Sequence, residues 1–200
     1  MQGFVLVVSS PSGAGKTTMV RKVLKTTSAL ERVVTATTRE PRKREINGKD
    51  YHFWTIKKFE NAIKTGKMLE YAKVHNNYYG VSKKSVEDVL KRGGFPVLII
   101  DVQGAQAIKK QYKENCVMVF IAPPSMKELE NRIKKRNDDT KNISLRLKTA
   151  KKEMAKVKMY DYVIINEDLK IAVQRLRSIE SAEKHKVWRK EKDLKKSKLI

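Results

Sequence analysis

Two hundred residues, 40% of them hydrophobic, are enough for one domain with a sizeable core and room for a small insertion. No apolar run approaches a membrane span, and no charged segment precedes an apolar one at the N-terminus, which argues against export and for a cytoplasmic protein. The balance of 45 Lys and Arg against 22 Asp and Glu, a formal net charge of +23, raises nucleic-acid binding. Most of the lysines fall at polar positions of predicted helices, however, and the run from Lys184 to Lys198 holds one aromatic, Trp188. That pattern favours a solvated surface whose field draws in polyanionic nucleotides. The single Cys116 has no disulfide partner within the chain and reads as a buried hydrophobe beside Val117 to Ile121.

Phe4 to Val8 is an unbroken apolar run and predicts a strand buried on both faces, as in a parallel sheet. It enters Ser-Pro-Ser-Gly-Ala-Gly-Lys-Thr, and Met19, Val20, Val23 and Leu24 follow at helical spacing, predicting a helix from about Lys16 to Thr27. Strand, glycine-bearing turn, Lys-Thr and helix in that order predict a phosphate-binding loop. Gly13 and Gly15 let successive N–H groups face one anion, and the helix adds its free amides and positive dipole end. Lys16 then reaches terminal phosphates, and the Thr17 hydroxyl suits Mg²⁺. Ser10 stands where the general pattern has its first glycine.

Val33 to Thr37 predicts a short strand, and Pro41 and Asn47-Gly48 mark a loop with a hairpin-type turn before the alternating Tyr51, Phe53 and Thr55. Arg39, Arg42, Lys43 and Arg44 gather in that loop, where guanidinium forks suit phosphate as well as they suit solvent. Thr55 to Thr65 reads as a helix stopped by Gly66, and Ser82 to Arg92 as another, ended by Gly93-Gly94. Between them, Met68 to Val74 carries Glu70 inside an otherwise apolar run. This carboxylate either lies on an edge-strand surface or accepts from a ligand with two adjacent N–H donors.

Pro96 to Ile100 is a second buried-type strand, ending in Asp101. In phosphate-loop folds an acid at that place stands near Mg²⁺ and its waters. A helix starts at Gln103-Gly104, Val117 to Ile121 is a third strand, and Ser125-Met-Lys-Glu128 is a capping box. Arg132 and Arg136 lie one turn apart, a polar segment spans Asn137 to Asn142, and Arg146 follows on the next helix with Ile143, Leu147, Ala150 and Met154. Arginines on both sides of such a segment fit a phosphate lid and equally fit ordinary helix-surface charge. Tyr162 to Ile165 is a last strand before Asn166, and a last helix has Leu169, Ala172, Val173, Leu176 and Ile179 on one face. From Lys184 the chain is Lys-rich and expected to fray. No internal repeat is visible.

The ordered segments SSPSGAGKTT, TATTREPRKREINGKDYHF, EYA with NNYYG, DVQGAQAI, FIAPPS and YDYVIIN, spanning about residues 4–168, resemble the guanylate kinase family. The resemblance implies an α/β fold: a parallel-sheet phosphate-loop core with helices on both faces, an inserted mononucleotide-binding region containing β structure, and a helical lid. It would divide the chain into a core of residues 1–34, 83–124 and 155–184, a GMP-binding region of 35–82, a lid with flanking helices of 125–154, and a basic tail of 185–200. It implies Mg²⁺-dependent transfer of the ATP γ-phosphoryl group to GMP and, by extension, dGMP. Carried over by position, ATP falls to the loop Ser10, Pro11, Ser12, Gly13, Ala14, Gly15, Lys16, Thr17 and Thr18. GMP phosphate falls to Arg39, Arg42, Tyr51 and Tyr79, and guanine to Glu70 and Thr35. Asp101 falls to the base or, with Thr17, to Mg²⁺. Lys16, Arg39, Arg132, Arg136 and Arg146 would serve the transfer itself.

The chain departs from the family pattern at several places. Ile99 stands where many members have Asp, Val81 replaces the hydroxyl residue after Tyr-Tyr-Gly, Asn137 replaces a common Gly, and the lid segment is one residue shorter. A kinase with another acceptor, a non-catalytic scaffold of guanylate-kinase type and a nucleic-acid binder are the rival readings. Glu70 with Arg39 and Arg42 speaks against the first, and retention of Lys16, Thr17 and the lid arginines against the second. The expected partners are therefore ATP and GMP, with no membrane and no nucleic acid; monomer and homodimer both stay open.

Overall fold

A computed structural model of the chain describes residues 3–27, 29–74, 76–135 and 143–199. Strand β1 (Val5–Ser9) is the centre of a five-stranded parallel sheet. On one side it pairs with β7 (Phe95–Ile99), which pairs with β2 (Leu30–Arg32); on the other it pairs with β8 (Cys116–Ala122), which pairs with β9 (Tyr162–Ile165). All of β1, and all of β8, is buried, because helices cover both faces. Phe4, Leu6 and Val8 pack on α1 (Lys16–Leu24) and α7 (Leu169–Lys184) through Met19, Val20, Val23, Ala172 and Leu176. Val5 and Val7 face the opposite layer, α3 (Lys83–Lys91) and α4 (Val102–Tyr112), through Val86, Val89, Ala105 and Ile108. The chain leaves β1 for α1 on one face and leaves β7 for α4 on the other. The carboxyl ends of these two strands therefore open a crevice between diverging helices, the usual ligand position in such sheets.

A second sheet has the order β4–β3–β6–β5, built from β3 (Ala36–Thr37), β4 (His52–Phe53), β5 (Met68–Val74) and β6 (Asn77–Ser82). Helix α2 (Ile56–Lys64), capped by Thr55 and stopped at Gly66 with φ 63°, covers it through Phe59 and Ala62. The Phe59 ring stacks on Tyr78 at 5.1 Å. A third group, α5 (Met126–Lys135) and α6 (Ile143–Met154), packs Leu129, Ile133 and Ala150 around Ala14 of the loop after β1. Arg136 and the polar segment from Asn137 to Asn142 lie outside the described residues.

Most predicted elements are present within a residue or two, and three expectations need correction. The run Val33 to Thr37 is not one strand: β2 ends at Arg32 in the first sheet, β3 begins at Ala36 in the second, and residues 33–35 carry the chain across. The Asn47-Gly48 turn forms, with Gly48 at φ 78° and its N–H donating to the Tyr51 carbonyl at 2.8 Å, but it closes no hairpin. Strand β4 instead pairs in parallel with β3.

The third correction concerns the Lys-rich end, which is docked rather than frayed. Helix α8 (Val187–Lys196) inserts Arg189, 1% exposed, over the rings of Phe4 (4.8 Å) and Trp188 (4.0 Å). Its guanidinium donates to Asn115 Oδ1, the Glu114 carbonyl and Glu183, itself 2% exposed. Residues of a charge run that cover aromatic core edges behave as core. Removing one partner of a buried pair costs about 3–5 kcal/mol, so Arg189→Ala is expected to lose about 3 kcal/mol in urea unfolding while exposed Lys192→Ala changes it by less than about 0.5 kcal/mol. Equal effects from the two variants would return α8 to a frayed tail.

Candidate active site

The crevice at the carboxyl ends of β1 and β7 is a cleft of about 570 Å³ walled by both sheets and by α6. Its floor is the loop from Ser10 to Gly15. Gly13 (φ 97°) and Gly15 (φ 93°) take left-handed conformations that side chains resist, and Gly15 caps α1 with no side chain of its own. The first amides of α1 therefore remain open toward the cleft. Ala14 is fully buried among α5 and α6, and its carbonyl accepts from Asn166 Nδ2 at 2.7 Å. A Cβ at Gly15 would come within 2.5 Å of that same amide. Asn166 follows β9, at the carboxyl edge of the sheet, and is 5% exposed.

Lys16 lies on the cleft floor and donates to the Ile100 carbonyl at 3.2 Å. Burial pushes its pKa down, while Glu153 and Asp101 pull it back up. Thr17 and Thr18 line the cleft beside it. Asp101 also lines it, but lies beyond the end of β7: it is the N-cap of α4, one oxygen accepting from Gly104 N–H at 2.8 Å. On α6, Arg146 donates to Ser12 Oγ at 3.1 Å, and two turns on, Glu153 faces Lys16 and the Ser12 amide. Burial raises the Glu153 pKa, against the pull of Lys16.

The opposite wall comes from the second sheet. Thr35, Glu70, Tyr51 and Tyr79 all line it. Glu70 is 7% exposed on β5, so the edge-surface reading is wrong. Its carboxylate packs against Gly104, where a Cβ would approach to 2.5 Å, and accepts no hydrogen bond from the described residues. Burial first and then the charge on Asp101 push its pKa up to about 8. Tyr51 stands edge-on to Tyr79 at 6.1 Å, and the Arg39 guanidinium lies 5.5 Å from the Tyr51 ring. Burial also raises the Tyr51 pKa.

The expected arginines are distributed differently. Arg39 is held in a two-pronged pair with Glu45 at 2.8 and 2.9 Å, and Glu45 also accepts from the Arg42 amide at 2.9 Å. Burial of Arg39 is outweighed by Glu45, so its pKa rises. Arg132 does not line the cleft; it donates to Glu128 (2.8 Å) and to the Asn166 carbonyl (3.1 Å), bracing the loop from outside. Val81, at the place of the missing hydroxyl, is fully buried in the core and lines no part of the cleft, whereas Ile99 does line it. Sequence reasoning missed Asn166, Glu153, Glu45 and the cleft-lining Lys152 and Lys156. A signal existed for two: Asn166 directly follows a parallel strand, and Glu153 shares a face with Arg146.

For Mg²⁺ the donor set fits. Thr17 offers a hydroxyl, Asp101 keeps one carboxylate oxygen clear of its capping bond, and both border the cleft. No cluster of three or more His, Cys, Asp and Glu that could hold a metal occurs among the described residues. A metal that brings waters and phosphate oxygens with it needs no such cage.

A phosphate loop opposed across one crevice by a carboxylate and two tyrosines on a separate sheet defines a phosphate-loop kinase of small acceptors. The guanylate kinase family model matches residues 2–183. The guanylate kinase of Wolbachia pipientis wMel is 50% identical over 186 residues, 92% of each chain. That of Clostridium tetani is 44% identical over 189 residues, covering 94% of this chain and 90% of its own. A crystal structure of guanylate kinase from Anaplasma phagocytophilum superposes with a TM-score of 0.80 at 38% identity, covering 94% of this chain and 89% of that one. The chain belongs to the guanylate kinase family.

Asn166→Ala removes the buried donor to Ala14, a loss of about 1–1.5 kcal/mol. Calorimetric titration with ATP is expected to show roughly tenfold weaker binding, and unchanged affinity would remove Asn166 from the site.

Proposed function

We propose that the protein transfers the γ-phosphoryl group of ATP to GMP, giving ADP and GDP, with Mg²⁺ accompanying the nucleotide. The observation that carries this reading is Glu70, a buried carboxylate without a hydrogen-bond donor among the described residues, facing the cleft that the phosphate loop floors. Guanine presents N1–H and its 2-amino group side by side, which one carboxylate can accept together; adenine has no such pair. Leaving Glu70 unpaired in the dark of an adenine complex is the cost that sets the preference. Thr35, beside it on the cleft wall, supplies a second polar contact to the base.

Tyr51 and Tyr79 border the place where the acceptor phosphate sits, with Arg39 and Arg42 on the loop behind them, oriented by Glu45. The amides of Gly13 and of Gly15 to Thr17 hold the donor phosphates, and Lys16 moves from the Ile100 carbonyl to the transferring group. Thr17 and Asp101 would hold Mg²⁺, which would supply countercharge to the donor phosphates. Arg146, held at Ser12 of the loop, is the arginine placed to answer charge on the transferring phosphoryl group. No general base is needed, because the acceptor is already an anionic phosphate and catalysis is positioning plus electrostatics.

A coupled ADP-release assay across GMP, dGMP, AMP, CMP and UMP tests the reading: turnover with guanine nucleotides and little with the rest is expected. Turnover confined to another base would overturn it. Lys16→Ala is expected to lower kcat at least about a hundredfold in a protein that still folds, and near-normal turnover would remove the loop from the chemistry.

The elevated Glu70 pKa adds a pH dependence. In the empty site the group titrates near pH 8, well above its ordinary 4.5, so at neutral pH it is mostly protonated. Only the ionised form accepts both guanine donors, so GMP binding expels a proton. Affinity is expected to rise by roughly tenfold per pH unit up to about 8 and then level off. The empty protein shows the converse: folding stability contributed by protonated Glu70 is full below about 4.5 and is lost as pH rises to about 8. Glu70→Gln should flatten the GMP profile and erase the GMP-over-AMP preference, leaving ATP affinity alone; a variant that keeps the preference contradicts the assignment.

A further inference from the structure

The last residue of β2, Arg32, makes a contact that neither sheet needs for its own packing. Its guanidinium donates from one nitrogen to the Lys49 carbonyl at 2.9 Å and from another to the Asp50 carbonyl at 2.6 Å. Its Nε is buried without a hydrogen bond. Beside it, Arg21 of α1 pairs with the Asp50 carboxylate at 2.5 Å, whose other oxygen accepts from the Ile46 amide at 2.9 Å. Both arginines belong to the elements around β1; the turn they grip belongs to the chain that crosses to the second sheet and back. The next residue after that turn is Tyr51, at the cleft wall.

We infer that Arg32 is a positioning residue for the acceptor: by holding the carbonyls at 49 and 50 it fixes the Asn47–Gly48 turn against the nucleotide-binding core, and so the place of Tyr51. The inference rests on the reading of Tyr51 as part of the GMP phosphate site.

Three observations support it. A partly buried guanidinium spent on two main-chain carbonyls is a costly way to hold a surface turn, since burial and the neighbouring Arg21 both disfavour its charge. The turn closes no hairpin ladder: one isolated bridge from Asn47 to Tyr51 and the Phe53 amide on Asn47 Oδ1 span it, while β4 starts after it and pairs with β3. And Tyr51 has little else to fix its main chain before β4 begins: the Gly48 amide donates to its carbonyl, while the neighbouring His52 amide donates to the Thr35 carbonyl. A shift of the turn would move the tyrosine and the Arg39 stacked near it together.

The test is steady-state kinetics of the full chain carrying Arg32→Met, which keeps an unbranched stem and removes every donor, and Arg32→Lys, which keeps a cation that can serve one carbonyl. Arg32→Met is expected to raise KM for GMP about tenfold while KM for ATP and kcat at saturating GMP stay within about twofold. Arg32→Lys should recover part of that loss. In a Tyr51→Phe background the Arg32→Met change should have a smaller effect than in the wild type, the part that reaches the site through Arg39, because the two changes share the Tyr51 contact. An unchanged KM for GMP, an equal rise in KM for ATP, or full additivity with Tyr51→Phe would overturn the inference. If Arg32→Met does not fold, the same three outcomes are read from Arg32→Lys. The wild-type assay separates the two levels: no turnover of GMP by the wild type refutes the functional reading, whereas normal turnover with an unaffected Arg32 variant refutes this inference alone.

Discussion

A loop that binds an anion through its own amides can spend few of them on holding its shape. That constraint organises this molecule. Between Ser10 and Gly15, among the described residues, two amides are spent inside the protein, Ala14 on the Pro11 carbonyl at 3.2 Å and Ser12 on Glu153, so most of the restraint comes through carbonyls, side chains and permitted backbone angles. Asn166 takes the Ala14 carbonyl, the Ala14 methyl is buried between α5 and α6, and Arg146 takes the Ser12 hydroxyl. The two glycines accept positive φ, where any other residue would strain. The loop is thus tied to β9, α5 and α6, elements far from it in sequence, and a ligand that engages it engages them as well.

The same logic of borrowed restraint governs the opposite wall. Arg39 and Arg42 lie in a loop without regular structure, and a loop leaves long cationic side chains a large choice of rotamers. Glu45 narrows that choice by accepting from Arg39 Nη2 on both oxygens and from the Arg42 amide at once. Arg32 and Arg21 do for the next turn what Glu45 does for the first. Two short peptide segments are thereby fixed with two ion pairs, two carbonyl contacts and almost no apolar burial, in keeping with exposed Ile46.

How much of this was legible in the sequence follows from which interactions are local. The strands β1, β7 and β8 announce themselves because burial on both faces leaves continuous apolar runs, and the loop after β1 because its glycines and Lys16 are adjacent in the chain. Glu70 was legible as an anomaly, a charge in an apolar strand, although its two explanations could not be separated until Gly104 was seen against it. The restraints were not legible, because they pair residues distant in sequence: Asn166 with Ala14 across 152 positions, Arg146 with Ser12 across 134. Local pattern also misled. Val33 to Thr37 has strand composition throughout, yet the chain changes sheets inside it, and composition carries no information about which sheet a residue joins. The Lys-rich end looked solvated because seven lysines conceal one buried arginine, and the rings of Phe4 and Trp188 with buried Glu183 explain why Arg189 points inward.

The charge of the whole chain and the charge of the cleft have opposite demands. A protein of net charge +23 attracts anionic nucleotides from a distance, yet its cleft is lined by the carboxyl groups Glu70, Asp101 and Glu153. Two of the three are placed where their charge is answered locally. Asp101 spends one oxygen on the α4 amide of Gly104, and Glu153 faces Lys16, whose ammonium burial would otherwise discharge. Glu70 has no such partner, and its proton is what keeps it tolerable in the empty protein. Under the proposed function, long-range attraction draws nucleotides to the cleft and selection falls to the acid left unanswered by the described residues, because a ligand with two adjacent N–H donors can replace the proton that acid must give up.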